Sequence, residues 1–319
     1  MYHSKISGLG YYVPENVVTN DDLSKIMDTN DEWIQERTGI KERRHIIRGE
    51  DTTTSMGVKA AEIAIQRANV AKEDIDFVIF ATLSPDYYFP GPGVLVQRDL
   101  GLRTVGALDV RNQCSGFVYA ISIADQYIKT GMYKNILVIG SEVHSTGLDM
   151  TDRGRGVSVI FGDGAGAAVL SREEDLSKGI LSTHLHSEGQ HAEELSLVAP
   201  GMGKRWVTDI IADNDSNDES YYPYMNGQFV FKNAVVRFSE VINEGLQANN
   251  LQVSDINMLV PHQANLRISQ FIQQKFKLSD EQVYNNIMNY GNTTAASIPI
   301  ALTEAWEQGK IKSGDLVVL

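Results

Sequence analysis

Cysteine is almost missing from this sequence: of 319 residues, Cys114 alone carries a thiol. An intrachain disulfide and a metal site built from several cysteines are therefore excluded, which fits a reducing compartment. Long apolar runs are lacking too, and none approaches the ~18 residues needed to cross a bilayer. The first residues, "MYHSKISGLGYYVPE", have no basic segment followed by an apolar stretch of the kind that directs secretion. Positive charge is in deficit, with 28 basic against 41 acidic side chains and a net charge of −13. That balance argues against general nucleic-acid binding. The expectation is a soluble, cytoplasmic protein with no membrane insertion.

The charge that is present is uneven. Arg37, Lys41, Arg43, Arg44 and Arg48 crowd one stretch, and Asp209, Asp213, Asp215, Asp218 and Glu219 another. Either run can be a solvated face, and the basic one can also be a dock for an anionic ligand. Helical and strand patterns alternate, the signature of α/β architecture. "TTTSMGVKAAEIAIQRANV" (52–70) reads as a Thr-capped helix leading into the strand "IDFVIFAT" (75–82). "GFVYAISIADQYIKTG" (116–131) is apolar on nearly every face, which predicts a helix at the centre of the protein, followed by the buried strand "ILVIGS" (136–141). "VSVIFGDGAGAAVLS" (157–171) reads as two strands around a glycine-rich turn.

The second half replays the first. "ANVAKEDIDFVIFAT" (68–82) aligns with "ANNLQVSDINMLVPH" (248–262), and "GMYKNILVIG" (131–140) with "GKIKSGDLVVL" (309–319). Two matches in the same order at nearly the same offset predict a duplicated α/β unit, with halves at 1–175 and 176–319. On that alignment the second half is expected to lack a last glycine-rich turn and strand.

Cys114 lies between the strand-like "VGALDV" and the central helix, where a helix N-terminus stabilises a thiolate. Ser115-Gly116 permits a tight strand-to-helix turn. Taken alone, a packed, unreactive thiol explains Cys114 better than a nucleophile does. His262 follows the strand "INMLV", and Asn292 lies in the loop "NYGNTTAAS"; each by itself is an ordinary strand-end or turn residue. All three stand at element junctions, however, and duplication would bring those junctions to a shared centre. His184, His186 and His191 invite a metal, but "HLHSEGQH" reads better as strand alternation running into a loop. "FGDGAG" lacks the Lys-Ser/Thr of a nucleotide loop and reads as a tight hairpin.

"CSGF", "GDGAGAAVL", "PHQANLRI" and "YGNTTAAS", in this order and spacing, resemble β-ketoacyl-acyl carrier protein synthase III, the initiating condensing enzyme of type II fatty-acid synthesis. The resemblance spans essentially the whole chain, from "GLGYYVPENVVTN" onward. It implies a thiolase-like, duplicated α/β/α/β/α five-layer core. It implies Cys114 as acyl-carrying nucleophile, with His262 and Asn292 as donors to the enolate oxygen formed when malonyl-acyl carrier protein loses CO₂. Acyl-CoA and malonyl-acyl carrier protein become substrates, and no metal or redox cofactor is called for. By the same resemblance Trp33 stacks on the CoA adenine, Arg37 and Arg153 lie near the nucleotide, and Arg267 docks the acidic carrier protein. Asn265, Gly227 and Phe231 match tunnel-wall positions. Phe89, in "YYFPGPG", matches a residue given to the partner's acyl pocket, so a homodimer is implied.

The chain departs from the family pattern in places. Asn112 and Gln113 stand where smaller residues are usual, "PGPG" follows Phe89, and residues 200–222 are longer and more acidic. The first two departures abut the implied acyl pocket, so the primer is not set by the resemblance. A second reading keeps the fold but makes the enzyme a simple acyltransferase, or one that joins two acyl-CoAs head to head. The latter calls for a glutamate base from the partner's loop, where "SPDYYFPGPG" offers Asp86 instead.

Overall fold

The computed structural model describes residues 2–201 and 218–319. Of the acidic 200–222 segment, Asp209, Asp213 and Asp215 lie outside the described residues. The strands that matter here are β1 (His3–Tyr12), β2 (Phe77–Ala81), β3 (Gly106–Val110), β4 (Asn135–Glu142), β5 (Gly164–Glu173), β6 (Met258–Leu259) and β7 (Val317–Val318). The helices are α1 (Asp31–Thr38), α2 (Thr53–Ala68), α3 (Pro92–Asp99), α4 (Gly116–Lys129), α5 (Gly227–Ala248), α6 (Leu266–Phe276) and α7 (Ser297–Glu307). Local chemistry sets their ends. Thr52 and Ser55 exchange side-chain and backbone hydrogen bonds in a reciprocal cap that starts α2. Proline opens α3 at the position where its missing N–H costs nothing.

Five strands form one sheet in the order β1-β5-β4-β2-β3. β4, β2 and β3 run parallel to one another, and β5 runs antiparallel to both of its neighbours, β4 and the edge strand β1. Side chains alternate between its faces. Val78, Phe80, Leu137 and Ile139 pack with Met56, Ala60 and Ala64 of α2. Ile79, Ala81, Ile136 and Val138 pack with Phe117, Ala120 and Ala124 of α4 and with Ala301 of α7. Beyond α4 and α7 lies a second small sheet. Met258 and Val317 join that central core, while Leu259 and Val318 face outward to Ile242 of α5 and Ile272 of α6. The layers thus run α2–α3, first sheet, α4–α7, second sheet, α5–α6, the α/β/α/β/α order expected.

The repeat extends to single hydrogen bonds. Asp76 N donates to Asn135 O at 2.9 Å, and its carboxylate takes Asn135 N at 3.0 Å. Asn257 N donates to Leu316 O at 3.0 Å, and its Oδ1 takes Leu316 N at 2.7 Å. Both members of the second pair stand 181 residues beyond those of the first. β7 lies parallel to β6, and Leu259 makes one further parallel bridge to Val283, repeating the β4-β2-β3 arrangement.

Two sequence expectations differ from the fold. Residues 157–171 are not a hairpin: Arg155–Ser158 is a helical turn, Phe161 makes a single bridge to Asn292, and the strand starts at Gly164. The glycines serve packing, since a Cβ on Gly166 would lie 2.6 Å from the Cβ of Pro299 in α7. Helix α4 is also less enclosed than its composition suggests. One face meets both sheets, but Tyr119 and Ser122 turn toward residues 183–186, with Ser122 Oγ 2.9 Å from Thr183 Oγ1. Among the described residues, no helix is long and apolar enough to cross a membrane.

Candidate active site

The junctions of the two halves do meet. The turn Gln113–Ser115, which carries Cys114 into α4, packs against the turn Thr294–Ala296, which follows Asn292. Gly116 allows the approach: a Cβ there would sit 3.1 Å from Ala81 Cβ and 3.5 Å from Ala295 Cβ. Both turns carry backbone strain. Gln113 has φ +41° and Thr294 φ +51°, whereas the other non-glycine residues with positive φ among those described, Asn69, Asn250 and Lys277, stand at helix C-terminal ends. The left-handed region costs an L-residue about 1–2 kcal/mol, so the surrounding contacts must hold these two in place.

Asn292 is oriented by its neighbour. Thr294 N donates to Asn292 Oδ1 at 2.8 Å, which commits the oxygen and leaves the amide nitrogen as the free donor, hydrogen-bonded to Cys114. Its backbone is clamped on both sides, N to Ile160 O at 2.8 Å and O from Gly162 N at 3.1 Å. His262 is oriented by Ser297, whose Oγ lies 2.6 Å from Nδ1. The other ring nitrogen, Nε2, is buried without a partner. Burial pushes the imidazole down to about 4, so His262 is neutral at physiological pH. A hydroxyl can donate or accept. With Ser297 donating to Nδ1, Nε2 carries the proton and is a donor; with Ser297 accepting, Nε2 is a base.

The thiol of Cys114 is pushed up to about 12, first by burial and second by the carboxylate of Glu142, against the pull of its own backbone N–H and the Asn292 amide. The helix entrance expected from sequence is there, since α4 begins at Gly116. Its dipole supplies about 0.3–2 kcal/mol. Cys114 is half-buried as a residue, but desolvation of the sulfur and the nearby Glu142 carboxylate both oppose ionisation, and the resting group is a thiol. Glu142 ends the buried strand β4, is fully buried, and is itself pushed up to about 7 by desolvation. Its carboxylate accepts from Ser84 Oγ at 2.6 Å, Thr82 Oγ1 at 3.0 Å and Leu83 N at 3.2 Å.

Sequence reasoning missed Ser297 and Glu142. Ser297 closes the quoted motif "YGNTTAAS", and a lone acid ending the run "ILVIGSE" was the available signal for Glu142.

The other expected residues gather into a rim. The Arg37 guanidinium lies 4.4 Å over the Trp33 ring, and Asn265 Nδ2 donates to Arg37 O at 2.9 Å. Arg267 lies 5.8 Å over Phe231, four residues beyond Gly227 on α5. Arg155, not singled out from sequence, lies 6.0 Å from Trp33. Arg153 pairs with Asp149 and lies 4.9 Å over Tyr222. Beside Cys114, Asn112 Nδ2 bonds Ser115 Oγ at 3.1 Å, while Gln113 is exposed. Phe89 is 85% exposed on a loop whose Gly93 N donates to Asp109 at 2.8 Å. A Cβ on Gly91 would fall 2.1 Å from that carboxylate, which accounts for the "PGPG" departure. Asp86 accepts from Thr53 N and Thr54 N, each at 2.9 Å, at the start of α2. His184 and His186 both contact Glu244, at 3.1 and 2.6 Å, and His191 meets the Phe229 ring edge-on, with centroids 4.6 Å apart.

A duplicated five-layer α/β fold of this layout is that of the thiolase-like, acyl-transferring condensing enzymes. Residues 108–189 match the family described as 3-oxoacyl-[acyl-carrier-protein] synthase III, and residues 246–319 match its C-terminal part. A relative named beta-ketoacyl-[acyl-carrier-protein] synthase III in Sulfurimonas denitrificans is 43% identical over 320 residues, covering 100% of this chain and 94% of the relative. One of the same name in Aquifex aeolicus is 45% identical, covering 99% and 94%. The crystal structure of the Aquifex synthase superposes with a TM-score of 0.89 over 98% of this chain and 94% of that one, at 44% identity. A priming β-ketosynthase of the R1128 polyketide pathway, at 30% identity, gives 0.88 over 99% and 91%. The chain belongs to the 3-oxoacyl-[acyl-carrier-protein] synthase III family.

Proposed function

We propose that this protein condenses an acyl-CoA primer with malonyl-acyl carrier protein, using Cys114, His262 and Asn292, to begin fatty-acid synthesis. The observation that carries this reading is a pair of nitrogens free to serve a ligand: His262 Nε2, buried without a partner, and the Asn292 amide, whose oxygen is committed to Thr294 N and whose nitrogen points to the Cys114 sulfur.

In the first half-reaction the Cys114 thiol gives up its proton, with neutral His262 Nε2 as acceptor, and sulfur attacks the acyl-CoA carbonyl. The thioester to CoA breaks, CoA leaves as its thiol with that proton, and acyl-Cys114 remains. In the second, malonyl-acyl carrier protein loses CO₂ and its thioester carbonyl becomes an enolate. The neutral imidazole then exchanges its Nδ1 proton for one on Nε2, Ser297 Oγ turning from acceptor to donor, and in that form His262 Nε2–H and the Asn292 amide donate to the enolate oxygen, each worth about 3 kcal/mol. The enolate carbon attacks acyl-Cys114, forming the new carbon–carbon bond and releasing the cysteine as a thiolate that takes up a proton from solvent, giving 3-oxoacyl-carrier protein. Acyl transfer, decarboxylation and carbon–carbon bond formation involve no change of electron count from outside the substrates, so this reading calls for no redox cofactor.

The rim of Trp33, Arg37, Arg153, Asn265, Gly227 and Phe231 is read as the CoA and pantetheine path, with Arg267 meeting the acidic carrier protein by local attraction despite the net charge. Exposed Tyr87, Tyr88 and Phe89 support a homodimer in which Phe89 enters the partner's acyl pocket near Asn112 and Gln113. Residues 1–175 and 176–319 are read as the two halves, and the compartment as the cytoplasm. Asp86, spent on the start of α2, is a poor base for head-to-head joining of two acyl-CoAs.

Mass measurement after incubation with acetyl-, isobutyryl- and octanoyl-CoA, then with malonyl-carrier protein, tests the reading. An adduct on Cys114 discharged to a 3-oxoacyl product is expected. No adduct with any of them, or discharge to water alone, would refute it.

A further inference from the structure

The turn that follows Asn292 is held in several places, and one of them, the exit of β4, reaches both Thr294 and Ala295. Gly140 lets the chains touch, because a Cβ there would lie 2.4 Å from Ala295 O. Two residues on, the buried Glu142 carboxylate accepts from Ala295 N while also binding Thr82, Leu83 and Ser84. Two further on, His144 Nε2 lies 2.6 Å from Thr294 Oγ1. Thr294 is the residue in the left-handed region, and its N–H fixes Asn292 Oδ1. His144 is itself fixed. Its N–H donates to Asp163 at 2.7 Å, and its ring packs 4.7 Å from that of Phe161, whose backbone bridges Asn292. The chain of contacts is continuous: β4 exit, Thr294 and Ala295, Asn292 amide, reacting oxygen.

We propose that Glu142 and His144 are positioning residues for the Asn292 amide, setting its direction through Ala295 N and Thr294 Oγ1. The assignment rests on the condensing reading above. It separates the two half-reactions, because acyl transfer to Cys114 needs the thiol, whereas decarboxylation needs the Asn292 donor. A strained turn released at Thr294 or Ala295 relaxes, and Asn292 swings with it.

The test uses the full chain and two assays: mass gain on Cys114 from acetyl-, isobutyryl- and octanoyl-CoA, and CO₂ release from malonyl-carrier protein. His144→Phe keeps the ring against Phe161 and removes Nε2. It should acylate within about threefold of wild type yet release CO₂ about 10–100-fold more slowly, at an unchanged KM. Thr294→Val, which removes the same hydrogen bond from the other side, should match it, and the double variant should be no worse than either. His144→Gln should recover much of the loss. In an Asn292→Ala background, His144→Phe should cost less than twofold more. Glu142→Gln, a same-shape exchange that disturbs the carboxylate's acceptor set, should show the same split between assays. Equal loss in both assays, full additivity with Asn292→Ala, or wild-type CO₂ release by both His144→Phe and Thr294→Val would overturn the assignment while leaving the condensing reading intact. A wild-type protein that releases no CO₂ would overturn both.

Discussion

Replacing Ser297 by alanine tests the proposed control of the His262 proton. Ser297 is 2% exposed, and its hydroxyl is the partner that His262 Nδ1 has at 2.6 Å. Alanine leaves a buried ring nitrogen unsatisfied, which costs about 1–3 kcal/mol of folding stability. It also frees the imidazole to rotate and to choose its tautomer without reference to the turn. Outright loss of an oxyanion donor costs about 10²–10³ in kcat. Ser297→Ala keeps the imidazole but not its aim, so a loss of roughly 10–100-fold in CO₂ release from malonyl-carrier protein is expected, with KM little changed. Ser297→Thr retains a hydroxyl and should recover most of it. Urea unfolding measures the stability part separately, and the mass of acyl-Cys114 shows whether the first half-reaction survives. CO₂ release by Ser297→Ala within twofold of wild type would refute the idea that Ser297 sets the donor state of Nε2.

Four further outcomes follow from particular contacts. With burial and Glu142 pushing the Cys114 thiol up to about 12, alkylation by iodoacetamide should climb about tenfold per pH unit from 7 to 10; a plateau below pH 8 contradicts it. His262 is pushed down to about 4 from its ordinary value of 6.5, so its contribution to stability is present above 6.5 and is lost as pH falls toward 4. At about 1.4 kcal/mol per unit this amounts to about 3 kcal/mol. Glu142, pushed up to about 7, has the opposite sign, stabilising below 4.5 and losing that as pH rises to 7. The His262 share is therefore read as the wild-type slope minus that of His262→Gln in urea titrations at several pH values, and identical slopes would refute it. Gly140→Ala, with its Cβ 2.4 Å from Ala295 O, should lower the urea midpoint by the equivalent of about 1–3 kcal/mol; an unchanged midpoint refutes the close approach. The proposed homodimer predicts that Phe89→Asp, at a side chain 85% exposed, shifts sedimentation toward monomer without lowering the stability of the isolated chain. A dimer of unchanged strength would remove Phe89 from the interface.

How legible each part was depends on the range of the physics behind it. Alternation along β2 and β4 and the Thr52 cap are local, so both could be read from the chain. The repeat was readable because duplication copies local pattern, and it reached as far as Asp76 and Asn257, whose carboxylate and amide oxygens accept the same backbone group 181 residues apart. Residues 157–171 were misread because their glycines answer to Pro299 and Tyr290, which no local pattern reveals. Cys114, His262 and Asn292 were found as types at junctions. Their states were not legible: the helix entrance argued for a thiolate, and only the assembled site shows burial and Glu142 outweighing it. Ser297, Glu142 and His144 were invisible for the same reason. Each acts by a hydrogen bond to a residue distant in sequence, 35 residues for Ser297 and 150 for His144. The proposed reactive groups could thus be picked out along the chain, while the groups proposed to aim them are chosen by the packing of the two halves, and variants of the second kind carry the sharper information about this enzyme.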